Sequence, residues 1–106
     1  MRSIEFHILL ALASEERHGY AILQEIAALT LGEMQLEPGT LYRALHRMLK
    51  DGWVAESARR PAADLDDERR RYYRLTPAGR RVAAAEAARL QRLVAVARAH
   101  RLLSRA

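Results

Sequence analysis

The chain has 106 residues, a formal net charge of +5 and a sequence pI of about 10.4; half of its residues are hydrophobic and only 6% are aromatic. That size suits one compact domain with an appended helix, the apolar share excludes global disorder, and the core must come mainly from Leu, Ile, Val and Ala. The absence of cysteine excludes disulfides, zinc ribbons and thiol catalysis, and no run approaches the roughly 18 apolar residues a membrane span needs.

Every cationic residue except Lys50 is an arginine. Arginine suits bidentate recognition of phosphate or guanine, so the bias fits a nucleic-acid partner. A compositional drift toward Arg and Ala across a genome would produce the same bias. The apolar run at residues 4–13 is interrupted by Glu5 and His7 and lacks a basic leader, so it does not read as a signal peptide. A soluble, cytoplasmic protein is expected.

In chain order, Ser3 is placed to cap a first helix over residues 4–13, apolar around most of its circumference and therefore buried, in its own domain or against a second copy. Residues 14–17 form a polar break. A second helix is expected over residues 18–30, burying Ile22, Leu23, Ile26 and Leu29, with Gly19 at its start suited to close packing. Residues 31–37 connect it to the next helix, and residues 34–36 have the length of a very short strand. Glu37, preceding proline, is expected to be extended, while Pro38 opens a third helix that Gly52 stops.

That third helix has two faces. Leu41, Leu45, Met48 and Leu49 recur at helical spacing as a dry stripe, whereas Thr40, Arg43, Arg47 and Lys50 recur as a hydroxyl-and-cation stripe on the other side. Such a helix suits a nucleic-acid groove, its cations meeting phosphates and base edges, although a solvated helix face has the same pattern.

Residues 53–57 read as a strand and residues 70–75 as its antiparallel partner, with Tyr73 and Leu75 alternating inward. The loop between them holds Pro61 and four acids. Thr76 followed by Pro77 starts a last helix running to about residue 103, with Gly79 a soft spot in its first turn. Three helices, a two-stranded hairpin and a further helix make a mainly α (α+β) fold, a winged helix-turn-helix. Residues 1–76 form the DNA-binding domain, and residues 77–106 a C-terminal dimerisation helix. The apolar stripe of that helix needs cover, which a two-fold partner provides, or the helix folding back on its own domain.

The segments HGYAILQEI, EPGTLYRALHRMLKDGWV and RRRYYRLTPAGR, in this order and spacing, resemble the PadR family of bacterial transcriptional regulators, over nearly the whole chain. The resemblance implies a homodimer of winged helix-turn-helix domains on a palindromic operator, usually a repressor, in many members released by a small molecule. The third helix then enters the major groove and the wing touches backbone or minor groove. Tyr20, Thr40, Tyr42, Arg43 and Arg47 match positions expected to meet double-stranded DNA, and Arg70 and Arg71 match the basic side of the wing; Lys50 joins them on the cationic stripe. The first and last helices bring Ile4, Ile8, Leu90, Leu93, Val94 and Ala97 to the dimer interface.

Two departures stand out. Families of this kind often carry a small hydroxyl residue before the helix-opening proline, where this chain has Glu37. The expected wing tip is acidic, with Asp64, Asp66, Asp67 and Glu68, and would be repelled by phosphates, which leaves residues 69–71 and either Arg59 or Arg60 as the wing's contacts.

Other residues read as structural. Tyr42 either bonds a phosphate or packs its helix against the domain; Tyr73 and Trp53 read as packing. Arg80 and Arg81, at the unfavourable end of the last helix for cations, read as a solvated pair unless they face DNA or an acid. His7, His18, His46 and His100 lie on separate elements without ligand spacing, so no metal or other cofactor is expected, and His46 is at most a minor backbone contact. Neither a catalytic constellation nor a glycine-rich phosphate loop is present, which reads as a non-enzyme. The alternative function is a winged-helix module that holds a protein partner while its DNA binding is vestigial.

Overall fold

In the computed structural model, residues 1–57 and 71–104 are described. The elements are α1 (Ser3–Ala13), β1 (Arg17–His18), α2 (Gly19–Leu29), α3 (Pro38–Lys50), β2 (Val54–Glu56), β3 (Tyr72–Leu75) and α4 (Pro77–Ala99). This is the mainly helical winged architecture expected, with one addition. The sheet has three strands in the order β1-β3-β2, because the polar break after α1 contains a strand that pairs antiparallel with β3, Arg17 opposite Tyr73 and His18 opposite Tyr72. On its other edge β3 pairs with β2, Val54 opposite Leu75 and Glu56 opposite Tyr73. The expected acidic tip, together with Arg59, Arg60, Arg69 and Arg70, lies outside the described residues.

The core gathers Ile8, Leu9 and Leu12 of α1, Ile22 and Ile26 of α2, Leu41, Ala44, Leu45 and Met48 of α3, and Val54 and Tyr73 of the sheet. Tyr73 and Leu75 turn inward as the strand alternation requires, Leu75 less completely. Met34 and Leu36 pack on this core from a loop that forms no strand. Ile8 is wholly buried within its own domain and has no surface to offer a second copy, which corrects its assignment to an interface. α1 was apolar on so many sides that the spacing could not tell the domain-facing side from the outer one.

The helix ends show why some boundaries differ from expectation. Ser3 is the first residue inside α1 and not its cap; the Glu5 carboxylate instead accepts the Arg2 backbone N–H at 2.9 Å. α3 ends in a Schellman motif, with Gly52 at φ +79° and the Trp53 N–H returning to the Met48 carbonyl at 3.0 Å. α2 and α4 end the same way, but with Leu31 and Arg101 in the left-handed position normally given to glycine. α4 therefore stops at Ala99, short of residue 103, without the sequence signal that marked α3.

The start of α4 is locked to the domain. The Thr76 hydroxyl accepts the Gly79 N–H at 3.0 Å and lies 2.6 Å from the Gly52 carbonyl oxygen. Gly79 is a required close approach and not a soft spot: a Cβ there would run into the Trp53 carbonyl oxygen. Arg80 is not merely solvated, since its guanidinium donates to the Ala13 carbonyl at 3.2 Å. Arg17 donates to the Ala11 carbonyl at 2.8 Å, so two cations satisfy the C-terminal carbonyls of α1, where the helix dipole favours them. Val82 and Ala83 pack on the core, so the first turns of α4 belong to the domain and the boundary expected at residue 77 is not a structural break. Among the described residues, no helix is long and apolar enough to cross a membrane.

Candidate nucleic-acid interface

α3 is held by its dry stripe and leaves one face to solvent. Leu41, Ala44, Leu45 and Met48 are fully buried. Gly39, Arg43, His46 and Lys50 are exposed, at spacings of three or four residues that put them on one line along the helix. Thr40 and Arg47 are half-buried and flank that line on one side; Tyr42 and Leu49, also half-buried, flank it on the other.

Thr40 accepts a hydrogen bond from the Arg43 guanidinium at 3.3 Å, which steers Arg43 along the helix surface. Arg47 leans toward α1, its Nε 3.9 Å from the buried Glu5 carboxylate. That Nε is sealed from solvent without a hydrogen-bond partner, although 41% of the side chain remains exposed. Tyr42 packs against the core with its phenol seated on Gly19, where a Cβ would collide with the phenolic oxygen. Of its two readings, packing is the one the geometry favours, and it explains the glycine that opens α2. Tyr20, the next residue, is 61% exposed.

α2 is capped by His18, whose Nδ1 accepts the Ala21 N–H at 3.1 Å while its ring meets Tyr72 edge to face at 5.4 Å. One residue thus ties the N-terminus of α2 to the wing sheet. On the wing, Arg71 pairs with Glu56 at 3.5 Å across the two strands. Arg74 is exposed between the inward Tyr73 and Leu75, a cation that strand alternation alone would have pointed outward. Glu37 is the N-cap residue of α3, extended as expected before proline, exposed, and making no capping bond. Thr40, Arg43, His46, Arg47 and Lys50 thus share one helix, while Tyr20 stands on α2, Arg71 beside β3 and Arg74 on β3.

The positive charge is unevenly shared. Residues 77–106 carry seven of the 18 Lys and Arg residues but only one of the 13 acids, Glu86; the first 76 residues hold 11 cations against 12 acids. Any attraction of the winged domain for a polyanion therefore comes from where its arginines stand and not from its net charge.

Past Val82 and Ala83, α4 leaves the domain. Ile4 and Leu90 are half-buried, as is Ala97, but Leu93 and Val96 are each 54% exposed, and Val94 is exposed as well. Leu10 adds an exposed apolar side chain on α1, the helix against which α4 packs. Trp53 is half-buried, packs on the core and walls an open groove of about 440 Å³ against Val82, Ala85 and Arg89 of α4.

Comparison with known proteins agrees with this architecture. Transcriptional regulator Rv3488 of Mycobacterium tuberculosis is 38% identical over 78 residues, covering 74% of this chain and 66% of that protein's length. A PadR family transcription regulator from Clostridium difficile R20291 superposes with a TM-score of 0.75 at 23% identity, covering 93% of this chain and 98% of the other. Bacillus subtilis PadR, solved in complex with operator DNA, gives 0.67 at 19% identity over 79% of this chain and 46% of its own. These two likenesses establish the fold alone. The model of the Transcriptional regulator PadR-like family matches residues 8–85, and the chain belongs to that family.

Proposed function

We propose that this chain is a sequence-specific regulator that binds double-stranded DNA as a homodimer on a palindromic operator, represses transcription there and acts in the cytoplasm. The observation that carries the reading is the division of α3 into a fully buried aliphatic stripe and an exposed line containing Arg43, His46 and Lys50. α3 enters the major groove; Thr40, Arg43, Arg47 and Lys50 meet phosphates and base edges, Tyr20 reaches the backbone from the start of α2, and Arg70 and Arg71 serve the wing. The exposed Leu93, Val94 and Val96 of α4, with Ile4, Leu90 and Ala97, face a second copy, which sets two recognition helices about one helical turn of DNA apart. A small-molecule effector that releases the DNA belongs to the same reading.

The test is a fluorescence-anisotropy titration with DNA from just upstream of the chain's own gene, beside a scrambled duplex, at low and physiological salt. Tight binding to the upstream fragment alone that survives physiological salt is expected. The exposed, uncapped Glu37 and the near-balanced charge of the first 76 residues favour a second reading, a protein-interaction module with vestigial DNA binding. Equal, salt-erased binding to both duplexes, followed by failure of a selection from random duplexes, would establish that reading instead.

A further inference from the structure

We infer that Arg74 carries the wing sheet's contact with a DNA phosphate, ahead of Arg71, an inference that rests on the DNA-binding reading above. The first 76 residues hold 11 cations against 12 acids, so their attraction for a polyanion depends on which cations lack a carboxylate of their own. Arg17 pairs with Glu15 and Glu25, Arg47 with Glu5, and Arg71 with Glu56. Arg43, Lys50 and Arg74, all exposed, meet no carboxylate among the described residues. Two of those three stand on the exposed line of α3, and the third stands on the sheet.

Strand alternation decides which face of the sheet holds Arg74. Tyr73 turns into the core, where β3 packs on α1, so Tyr72 and Arg74 share the other face. His18 stands opposite Tyr72 in the register, and its ring meets the Tyr72 ring edge to face at 5.4 Å, which puts it on that outer face as well. The His18 Nδ1 also accepts the Ala21 N–H at 3.1 Å and caps α2. The outer face of the sheet therefore runs into the first turn of α2, where Tyr20 is 61% exposed. Arg74 thus extends across the sheet the backbone contact assigned above to Tyr20.

The cross-strand neighbours separate the two wing arginines. Ala55 stands opposite Arg74 and brings neither charge nor bulk. Arg71 has the Glu56 carboxylate 3.5 Å away, so a phosphate approaching Arg71 meets an acid beside it and loses part of the attraction to repulsion. A guanidinium with no acid beside it offers its whole charge and its N–H donors to the phosphate oxygens.

The experiment is a selection from random duplexes with the full chain. Binding curves on the selected duplex over a salt series follow, for the parent, Arg74→Ala, Arg74→Lys and Arg71→Ala. The parent should return a palindromic motif. Arg74→Ala should select the same motif and bind it more weakly, with the slope of log affinity against log salt shallower by about 0.9 for each chain bound. Arg74→Lys should restore the slope because it keeps the charge, and Arg71→Ala should move it less than half as far. Circular dichroism should be unchanged in all three variants, since both side chains are exposed. If Arg74→Ala leaves the slope unchanged, or Arg71→Ala moves it as far, the inference falls while the regulator reading stands. A motif altered by Arg74→Ala would make Arg74 a base reader and overturn the phosphate contact. If the parent itself returns no motif, the DNA-binding reading fails and this inference fails with it.

Discussion

α3 and the outer half of α4 are both exposed helix surfaces on the same small chain, and they are exposed in opposite ways. α3 shows Gly39, Arg43, His46 and Lys50 with no large apolar group on its outermost line, while α4 shows Leu93, Val94 and Val96. A charged line in solvent costs nothing and waits for a polyanion. An apolar stripe in solvent is a standing loss of about 25 cal/mol per Å² until another apolar surface covers it. The difference is what the proposed function uses: a charged surface suits DNA, and an apolar one suits a second copy. The net charge misleads on this point, since its excess lies in residues 77–106 and not in the first 76.

Leu93→Asp attacks the apolar side of this contrast and has the largest expected effect. It should leave the domain folded by circular dichroism but convert the protein to a monomer by sedimentation, with operator affinity falling at least a hundredfold as the two half-sites lose their linkage. A dimeric variant with parental affinity would show that α4 covers its stripe some other way. Arg43→Ala attacks the charged side. It should weaken operator binding by about 1–3 kcal/mol and leave the oligomeric state untouched, so the two variants should fail in separable assays.

Thr76→Ala tests the joint between the two regions. The hydroxyl caps α4 and lies within bonding distance of the Gly52 carbonyl at the end of α3; its loss should cost about 1 kcal/mol in a urea titration without changing the operator sequence selected. The smallest effect belongs to Glu86→Gln. The Arg89 guanidinium grips the Glu86 carboxylate at 2.7 and 2.8 Å and holds it below its ordinary value of 4.5. A carboxylate depressed in the folded state stabilises the fold above its unfolded value and loses that contribution as pH falls through the folded one. The parent should therefore be marginally more stable than the variant at neutral pH, in low salt only, with the difference gone once the pH is well below 4.5.

Particular residues show how far the sequence could be read. The buried Leu41, Leu45 and Met48 of α3, the stop at Gly52, the start at Thr76 and the inward Tyr73 follow from spacing, a glycine, a cap and alternation, all local rules, whereas the expected wet stripe holds only for Arg43 and Lys50, Thr40 and Arg47 being half-buried. β1 was not legible, because a two-residue strand carries no periodicity and exists only where β3 offers its edge. Nor was the end of α4, where Arg101 takes a backbone conformation that no residue type announced.

Chain order, the dry stripe of α3 and family membership were thus determined by the sequence itself, since each depends on residues close together along the chain. What only the tertiary structure decided were meetings between distant residues. Tyr42 sits on Gly19, Trp53 presses its carbonyl toward Gly79, and Arg80 reaches Ala13 across the fold. Glu5 and Arg47 likewise meet across the fold, the Arg47 Nε 3.9 Å from the carboxylate. A helical wheel gives each side chain an angle, but burial and pairing depend on what packs against that angle, and Glu5 of α1 lies 42 positions before the Arg47 it pairs with (47 − 5).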